Sequence, residues 1–467
     1  MTDGAPIPHG APWAELPAVI PAKPLFTGRR LAAWPVLFTV VLVSAHYAAR
    51  FVRRFVWFDC PPHWPLSIFN PRGPHHVVEW AALAATVGGG AWVIHFLRRR
   101  GFPLPYVGGF GLLLILLSNA IQGVPKGFFN PIAGGRAPEQ YYHDALHVSS
   151  TATLLRNFAT LQPLLHTHAR THPPGAVLLF YGLHTCLGLL PWQIAVVFAG
   201  AATLLSAWAF PRLVRNVLPS DRAFSGYGTL LFLLLPAVQI YYCATLDALI
   251  AALLLCSLAV WSDSPTRRNT LLASAFVAAA SFLTFGVVWV VPALITLDAA
   301  RGRYTRWLAL LVALAVFYVV LKGLTGFDYL AAARLASHLE NPRGFRLLVE
   351  PISYAFTRIE DVSEILVFFG PFLTALLWRG LRRNPSTENT RDARALFAGG
   401  TTSLLLLFLS GAFHTGETAR ACLFLYPILL LPVLSTMRTA EERDRTLLLL
   451  LVLAQTVLMQ ACGNYFW

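Results

Sequence analysis

Charged side chains are scarce in this chain. Only 12% of its 467 residues are Asp, Glu, Lys or Arg, against roughly 25% in an ordinary soluble domain. The formal net charge is +14, but the basic residues form short clusters between apolar runs. Nucleic-acid binding requires a continuous basic face with interleaved aromatic residues. The sequence therefore predicts no nucleic-acid partner and no sizeable water-soluble domain.

Lysine, methionine and cysteine are also rare. Three of the 36 basic residues are lysines and there are three methionines, a bias typical of a high-GC bacterium. The six cysteines are scattered, without a Cys-x-x-Cys pair or a mixed Cys and His spacing. This pattern supports neither a disulfide framework nor a zinc site.

The chain is instead rich in long apolar runs. Hydrophobic residues make up 56% of it, and a hydrocarbon core of ~30 Å needs about 20 apolar residues for each helical crossing. We predict an all-α fold, a polytopic transmembrane helix bundle with about 11–14 apolar segments. Residues 1–30 lack a cleavable signal and are predicted as a disordered cytoplasmic tail. Residues 31–467 then form a single transmembrane domain.

The basic clusters predict how the chain is oriented, because Lys and Arg are enriched in cytoplasmic loops. With the N-terminus inside, four segments fall on the external face of the bacterial inner (plasma) membrane. They are the loops 122–172 and 324–362, the corner 241–247 and the short link 414–420. A single active site would require such a shared face.

Three stretches do not fit this topology easily. One is 173–210, which must make a net single crossing although it looks like two segments divided at Pro191. Arg50, Arg53 and Arg54 would lie outside, against the enrichment rule. The stretch 270–298 is too short for two full crossings, which favours a hairpin with its tip near Phe285 that enters the membrane part-way. No internal repeat is visible, whereas many secondary transporters carry one.

The first external loop concentrates the ionisable residues. Between positions 139 and 180 it holds one Asp, one Glu, five His and two Arg. Asp144 or Glu139 could act as a general base toward a hydroxyl acceptor, or either could be a loop acid paired with an arginine. His143 and His147 have the i, i+4 spacing of metal ligands, but no metal signature surrounds them, so a divalent ion is left open.

Three further features belong to the same face. Leu154, Phe158 and Leu161 predict a surface helix, capped near 149–151, with its apolar face on the lipid. Asp247 begins an apolar helix, where an acid favours the helix dipole or marks the mouth of a cavity. In the late link, Glu417 and Arg420 either neutralise each other or orient Arg420 toward an anionic phosphate.

Taken in order, these pieces resemble the GT-C superfamily of membrane glycosyltransferases, which use polyprenyl-phosphate-linked sugars. The resemblance rests on four stretches: YYHDA at 141–145, RTHPPG at 170–175, the acid at the end of 241–247, and GETAR at 416–420 followed by LFLYP at 423–427. The late motif is similar to that of bacterial mannosyltransferase-like branches. The adjacent acidic pair common in the first loop is absent, which leaves Asp144 and Glu139 as alternatives.

The resemblance implies a direct displacement with inversion. Asp144 would take the acceptor proton, Arg420 would stabilise the leaving phosphate and Glu417 would hold Arg420. The residues Glu139, Arg170, His172 and Asp247 would contact substrates, with Lys126 a weaker candidate. The expected partners are a polyprenyl-phosphate sugar donor, a glycan, lipid or protein acceptor, and the bilayer. The alternatives are a ligase or polymerase of lipid-linked glycans and a lipid or solute transporter.

Overall fold

The computed structural model describes residues 28–134, 141–218, 220–382, 388–411, 413–414 and 416–465. Within these ranges the only strands are two-residue segments, β1 (Asn70–Pro71) and β2 (Gly463–Asn464), which pair antiparallel. The predicted all-α class is therefore confirmed. The predicted tail 1–30 lies outside the described residues, except for its last three, which start the first helix.

In chain order, the α-helices of the described residues are α1 (Gly28–Val52), α2 (Val77–Arg99), α3 (Leu104–Ala120), α4 (Asn130–Ala133), α5 (Tyr141–Leu146), α6 (Thr151–Arg156), α7 (Phe158–Leu161), α8 (Thr167–Arg170), α9 (Gly175–Tyr181), α10 (Pro191–Val217), α11 (Arg222–Leu233), α12 (Pro236–Tyr241), α13 (Leu246–Trp261), α14 (Arg267–Leu283), α15 (Val291–Ala300), α16 (Arg306–Thr325), α17 (Tyr329–Glu340), α18 (Arg346–Val349), α19 (Pro351–Phe369), α20 (Pro371–Arg382), α21 (Glu388–Leu409), α22 (Thr418–Ala421), α23 (Tyr426–Met437) and α24 (Glu442–Cys462).

Six helices of the described chain are long and apolar enough to cross a membrane: α1, α2, α10, α16, α21 and α24. A seventh apolar element is the pair α19 and α20, which is bent by 99°. Only 6% of the apolar stretch of α16 is buried inside the protein, and Val319 and Leu324 are 72% and 79% exposed. An apolar surface of this extent is stable against lipid but not against water. The chain is a multi-pass membrane protein.

Helix α13 lies at the centre of the bundle. Most of its residues are buried, and it packs against α10 and α14. A helix that is apolar on all sides is expected where other helices enclose it. At 1.5 Å per residue, α13 extends about 24 Å, so Leu246 and Trp261 lie at opposite ends of the bundle.

The chain reverses near Phe285, as the short length of the stretch 270–298 predicted. Helix α14 ends and a tight 3₁₀ segment, Phe285–Val290, leads into α15. The start of α14 and the end of α15 lie at the same end of the bundle. Near the start of α14, the Thr270 hydroxyl accepts a hydrogen bond from Arg306 Nε at 2.9 Å, while Arg301, just after α15, donates to the Ser262 carbonyl at 2.6 Å. The two helices therefore go out and back, with the tip at Phe285.

Two other predicted segments are interrupted. The apolar stretch 225–243 is divided into α11 and α12 before Pro236, because proline cannot continue the preceding helix. The predicted surface helix divides into α6 and α7 at Asn157, although Ser150 caps its start by accepting from the Thr153 N–H at 3.1 Å. Phe158 is buried and packs edge-on against the Phe327 ring, so this face contacts protein where lipid was predicted.

The region 324–362, predicted as a loop, is mostly helical. It contains α17, α18 and the first half of α19. The apolar stretch 364–381 is bent at Gly370, whose φ of +111° is a conformation that favours glycine. This bend separates α19 from α20.

Two of the arginines that oppose the predicted topology have local partners. Arg50 donates to the carbonyl of Pro62 at 3.0 Å, and Arg53 donates to the carbonyl of Cys60 at 3.0 Å. Because a backbone carbonyl is a good acceptor for a guanidinium, these arginines join the end of α1 to the segment that follows it.

Candidate functional site

A cavity of about 480 Å³ lies where the start of α13 meets the loops before α9 and α22. It brings together five of the seven predicted site residues, namely Arg170, His172, Asp247, Glu417 and Arg420. Asp144 does not line it, and Glu139 lies outside the described residues. The tip of the α14–α15 reversal also reaches the wall. An apolar side of the cavity is formed by Ile250, Leu254, Phe285, Leu407 and Phe424.

Arg420 is the central cation of this cavity. Its Nε lies 3.2 Å from Asp247 Oδ2, and the two side chains are 16% and 25% exposed. Burial acts to lower the pKa of the guanidinium, but the charges of Asp247 and Glu417 outweigh it and raise that pKa. Burial raises the pKa of Glu417 in turn. The corner and the late link, 173 residues apart in sequence, thus meet through an ion pair.

The turn that carries Arg420 is held from behind by α19. Glu364 Oε2 accepts hydrogen bonds from the N–H groups of Thr418 and Ala419, at 3.1 and 3.3 Å. The Thr418 hydroxyl donates to Asp361. Both acids are buried, with at most 1% of their surface exposed. Because the first N–H groups of a helix have no intrahelical partner, these carboxyl groups fix the start of α22 and with it the direction of Arg420.

The end of the first loop supplies the aromatic and histidine wall. The His172 ring donates through Nδ1 to the carbonyl of His168 at 2.8 Å and lies edge-on to the Tyr141 ring. Burial is the largest cause that lowers the pKa of His172, and it lowers that of His168 to about 2. These imidazoles are neutral at physiological pH. They can hydrogen-bond to a polar ligand, but they add no charge.

Arg170 stands apart from the cavity carboxylates. Among the described residues no acid lies within salt-bridge distance of it, and its buried Nε has no hydrogen-bond partner. Its backbone is fixed, because its carbonyl accepts a hydrogen bond from Gln162 Nε2 at 2.9 Å. A guanidinium so placed is available to an anionic group of a ligand.

The paired-proline turn has a steric basis. A Cβ added at Gly175, the first residue of α9, would lie 2.0 Å from the Phe282 carbonyl oxygen. Only glycine allows the start of α9 to approach the end of α14 so closely. This contact joins the first loop to the tip of the α14–α15 reversal.

A second ionisable pair lines the cavity. Glu340, at the end of α17, lies with Oε1 3.2 Å from His414 Nε2, and both residues face the cavity. The hydrogen bond from His414 is the main cause that lowers the pKa of Glu340. In the same way, Glu340 raises the pKa of His414. The pair therefore favours an ionised carboxylate beside a protonated imidazole.

Asp144 has a different environment from the predicted one. It is 7% exposed, and its carboxylate accepts from the His166 backbone N–H at 3.2 Å and from the ring Nδ1 at 2.9 Å. Burial raises the pKa of Asp144, and the hydrogen bonds from His166 oppose that change. The acid is thus bound to a histidine of its own loop and not to an arginine.

Metal ligands are not grouped in the part of the chain that the structure describes. No set of three or more His, Cys, Asp and Glu side chains is arranged to hold an ion there. The His143 and His166 ring centroids are 6.5 Å apart. Lys126 is exposed on the Pro125–Phe129 turn and does not line the cavity.

Several residues of the site were not predicted from the sequence. Glu340 and His414 come from segments far apart in the chain, and each alone is an ordinary polar residue. The acids on α19 carried a signal that was available: Glu360, Asp361 and Glu364 are spaced i, i+1, i+4 beside an apolar run. Acids at this spacing share a helix face, and acids are costly to bury without partners.

The fold and the cavity define a multi-pass helical membrane protein with a polar, partly charged site at one end of its bundle. Comparison with protein-family models, with curated proteins and with solved structures found no match for this chain. The cavity and the four motif stretches are therefore the features that bear on function.

Proposed function

We propose that this chain is a GT-C-type membrane glycosyltransferase. It moves a sugar from a polyprenyl-phosphate donor to a hydroxyl acceptor on a glycan, lipid or protein, at the external face of the bacterial inner membrane. One observation carries the proposal: a single cavity combines Arg170 and Arg420 with an apolar wall. A ligand with an anionic phosphate and an isoprenoid tail requires this combination.

In the proposed reaction the acceptor oxygen attacks the anomeric carbon of the sugar. The bond between that carbon and the phosphate oxygen breaks, its electron pair leaves with the polyprenyl phosphate, and the configuration is inverted. Arg170 and Arg420 would stabilise the charge that develops on the phosphate, since electrostatic stabilisation of a leaving group is among the largest catalytic effects. The ion pair with Asp247 keeps Arg420 oriented before the donor binds.

The ligand's tail and head would occupy different parts of the cavity. Ile250 and Leu254 lie one turn apart on α13, with Phe424 also in the apolar wall. Burying an isoprenoid there is favourable by about 25 cal/mol per Å² of apolar surface. The sugar would then lie among the polar residues near Tyr141 and His172.

The proposal can be tested with purified protein in lipid nanodiscs. The probe is undecaprenyl phosphate carrying radiolabelled mannose or arabinose, with a bacterial membrane extract as the source of acceptors. We expect Arg420→Ala and Arg170→Ala each to lower transfer by at least tenfold, because one lost stabilising donor commonly costs about a hundredfold or more. Arg156→Ala, an exposed arginine of the same loop, is the matched control and should retain wild-type transfer.

The alternatives give different results in the same assay. A transporter would bind the labelled donor without cleaving it. A ligase or polymerase would transfer whole lipid-linked glycans in place of the single sugar. Full transfer by the Arg420→Ala variant would remove Arg420 from the phosphate role.

A further inference from the structure

Three carboxyl groups of described residues line the cavity: Asp247, Glu340 and Glu417. Two of them, Asp247 and Glu417, share one partner. Asp247 is paired with the Arg420 guanidinium, and Glu417 acts on the same guanidinium. These two acids therefore serve to hold the Arg420 guanidinium. Glu340 alone has an imidazole as its nearest charged partner.

We propose that Glu340 is the general base that accepts the proton of the acceptor hydroxyl, and that His414 is a positioning residue that orients the Glu340 carboxylate. This assignment rests on the proposed glycosyl transfer. It gives the base role to a residue of the segment 324–362, whereas the sequence predicted Asp144 of the first loop.

The geometry supports this role in two ways. Glu340 lies at the end of α17, where its side chain reaches the cavity and is still 30% exposed, and His414 is 48% exposed. The site therefore opens toward solvent on this side, where a hydroxyl acceptor can enter. Asp144, in contrast, is buried outside the cavity lining and its carboxylate is engaged by His166.

The protons and bonds balance in the proposed step. Glu340 takes the acceptor proton as the acceptor oxygen forms its bond to the anomeric carbon. The bond from that carbon to the phosphate oxygen breaks, and the phosphate keeps the electron pair. Glu340 then releases its proton to solvent, which its side chain reaches.

The pH dependence follows from the titratable and charged groups that face the pair of Glu340 and His414. They are His172 from the first loop, Arg346 from α18 and Glu417 from the late link. Within the pair, His414 lowers the pKa of Glu340 more than any of these groups does. Because only the ionised carboxylate accepts a proton, transfer should fall as the pH drops through the pKa of Glu340. Without His414 that fall should occur at a higher pH.

The test measures sugar transfer against pH with the undecaprenyl-phosphate probe described above, together with equilibrium binding of the donor. Glu340→Gln should lower kcat by at least 100-fold, since general-base catalysis contributes about 10²–10⁴, while the donor KM stays within about twofold. Glu350→Gln, a carboxylate of the same region that pairs with Arg343 at 2.7 Å outside the cavity, is the control. Glu340→Asp should retain part of the rate, which separates chemistry from misfolding.

His414 and Asp144 complete the series. His414→Asn should keep measurable transfer and move the acidic limb of the profile to higher pH, whereas His338→Asn, exposed on the same helix α17 as Glu340, should not move it. Asp144→Asn should retain most of the rate. Wild-type rates and an unchanged pH profile in the Glu340→Gln variant would overturn the base assignment and leave glycosyl transfer intact. Loss of donor binding in the Glu340→Gln variant would also overturn the base assignment, because it would show that Glu340 has a structural role.

A failure of the proposed function is recognised separately. If the wild-type protein cleaves no polyprenyl-phosphate sugar, the reaction class is wrong before any variant is considered, and the base assignment falls with it.

Discussion

Two of the three acids on α19, Glu364 and Glu360, lead to a prediction that needs no knowledge of the substrate. Glu364 accepts the N–H groups of Thr418 and Ala419. Glu360, one turn earlier on the same helix and equally buried, accepts the N–H of Ser67 at 3.1 Å. Glu364→Ala and Glu360→Ala remove the same atoms from the same helix, but they release different segments of the chain.

The magnitudes follow from the hydrogen bonds that each variant loses. At about 1 kcal/mol net for each bond, Glu364→Ala should lower the local opening free energy of the α22 turn by about 2 kcal/mol. Since about 1.4 kcal/mol corresponds to a factor of ten, amide exchange at Thr418 and Ala419 should become roughly 30-fold faster. Glu360→Ala loses one bond, so exchange at Ser67 should rise by roughly fivefold.

Hydrogen exchange followed by mass spectrometry on the nanodisc-embedded protein measures both segments at once. We expect the Glu364 variant to deprotect peptides that cover 416–421, and the Glu360 variant to deprotect those around Ser67. Equal deprotection of 416–421 in both variants would mean that α19 acts only through general stability. Unchanged protection in the Glu364 variant would refute the reasoning that its carboxyl group holds the Arg420 turn.

Three further predictions concern stability in detergent. Asp247→Asn should destabilise the protein by about 3 kcal/mol or less, because it leaves the Arg420 charge partly buried without its partner, and adding Arg420→Met should restore part of the loss; additive losses in thermal unfolding would contradict this. Gly175→Ala should cost about 1–3 kcal/mol by overpacking against the Phe282 carbonyl, whereas Gly182→Ala, with nothing within 4 Å of the added Cβ, should be tolerated. Burial raises the pKa of Asp144 in the folded state, so its contribution to stability is present at low pH and is lost as the pH rises above the ordinary carboxyl value of 3.8. In a plot of the unfolding midpoint against pH, Asp144→Asn should therefore remove the decline in this range.

The helix positions were largely predictable because apolar length is a strong local signal in a membrane protein. The reversal at Phe285 followed from the same signal, since 270–298 was too short for two crossings. The split at Pro236 also had a local signal in the sequence, because proline marks the start of a new helix. The bend at Gly370 had a similar local signal, because Pro371 follows it and begins α20. The angle of 99° between α19 and α20 could not be derived from that signal.

The site was predictable by region but not by contact. Arg170, His172, Asp247, Glu417 and Arg420 share a cavity because the segments that carry them end at the same end of the bundle. The pairing of Arg420 with Asp247 was not predicted, because Glu417 is its nearer acid in sequence. Likewise, Asp144 lies outside the cavity lining, and its carboxylate is bonded to the His166 ring, a contact within the loop that the sequence did not predict. Such choices between candidate partners are made by tertiary packing.

The ion pair between Asp247 and Arg420 also constrains how the protein is made. Asp247 is synthesised long before Arg420, and at roughly 5–20 residues per second the interval is on the order of ten seconds or more. During that time the nascent chain carries an acid near the membrane surface without the arginine that later neutralises it. The charge balance of the cavity is therefore complete only once α22 has been synthesised.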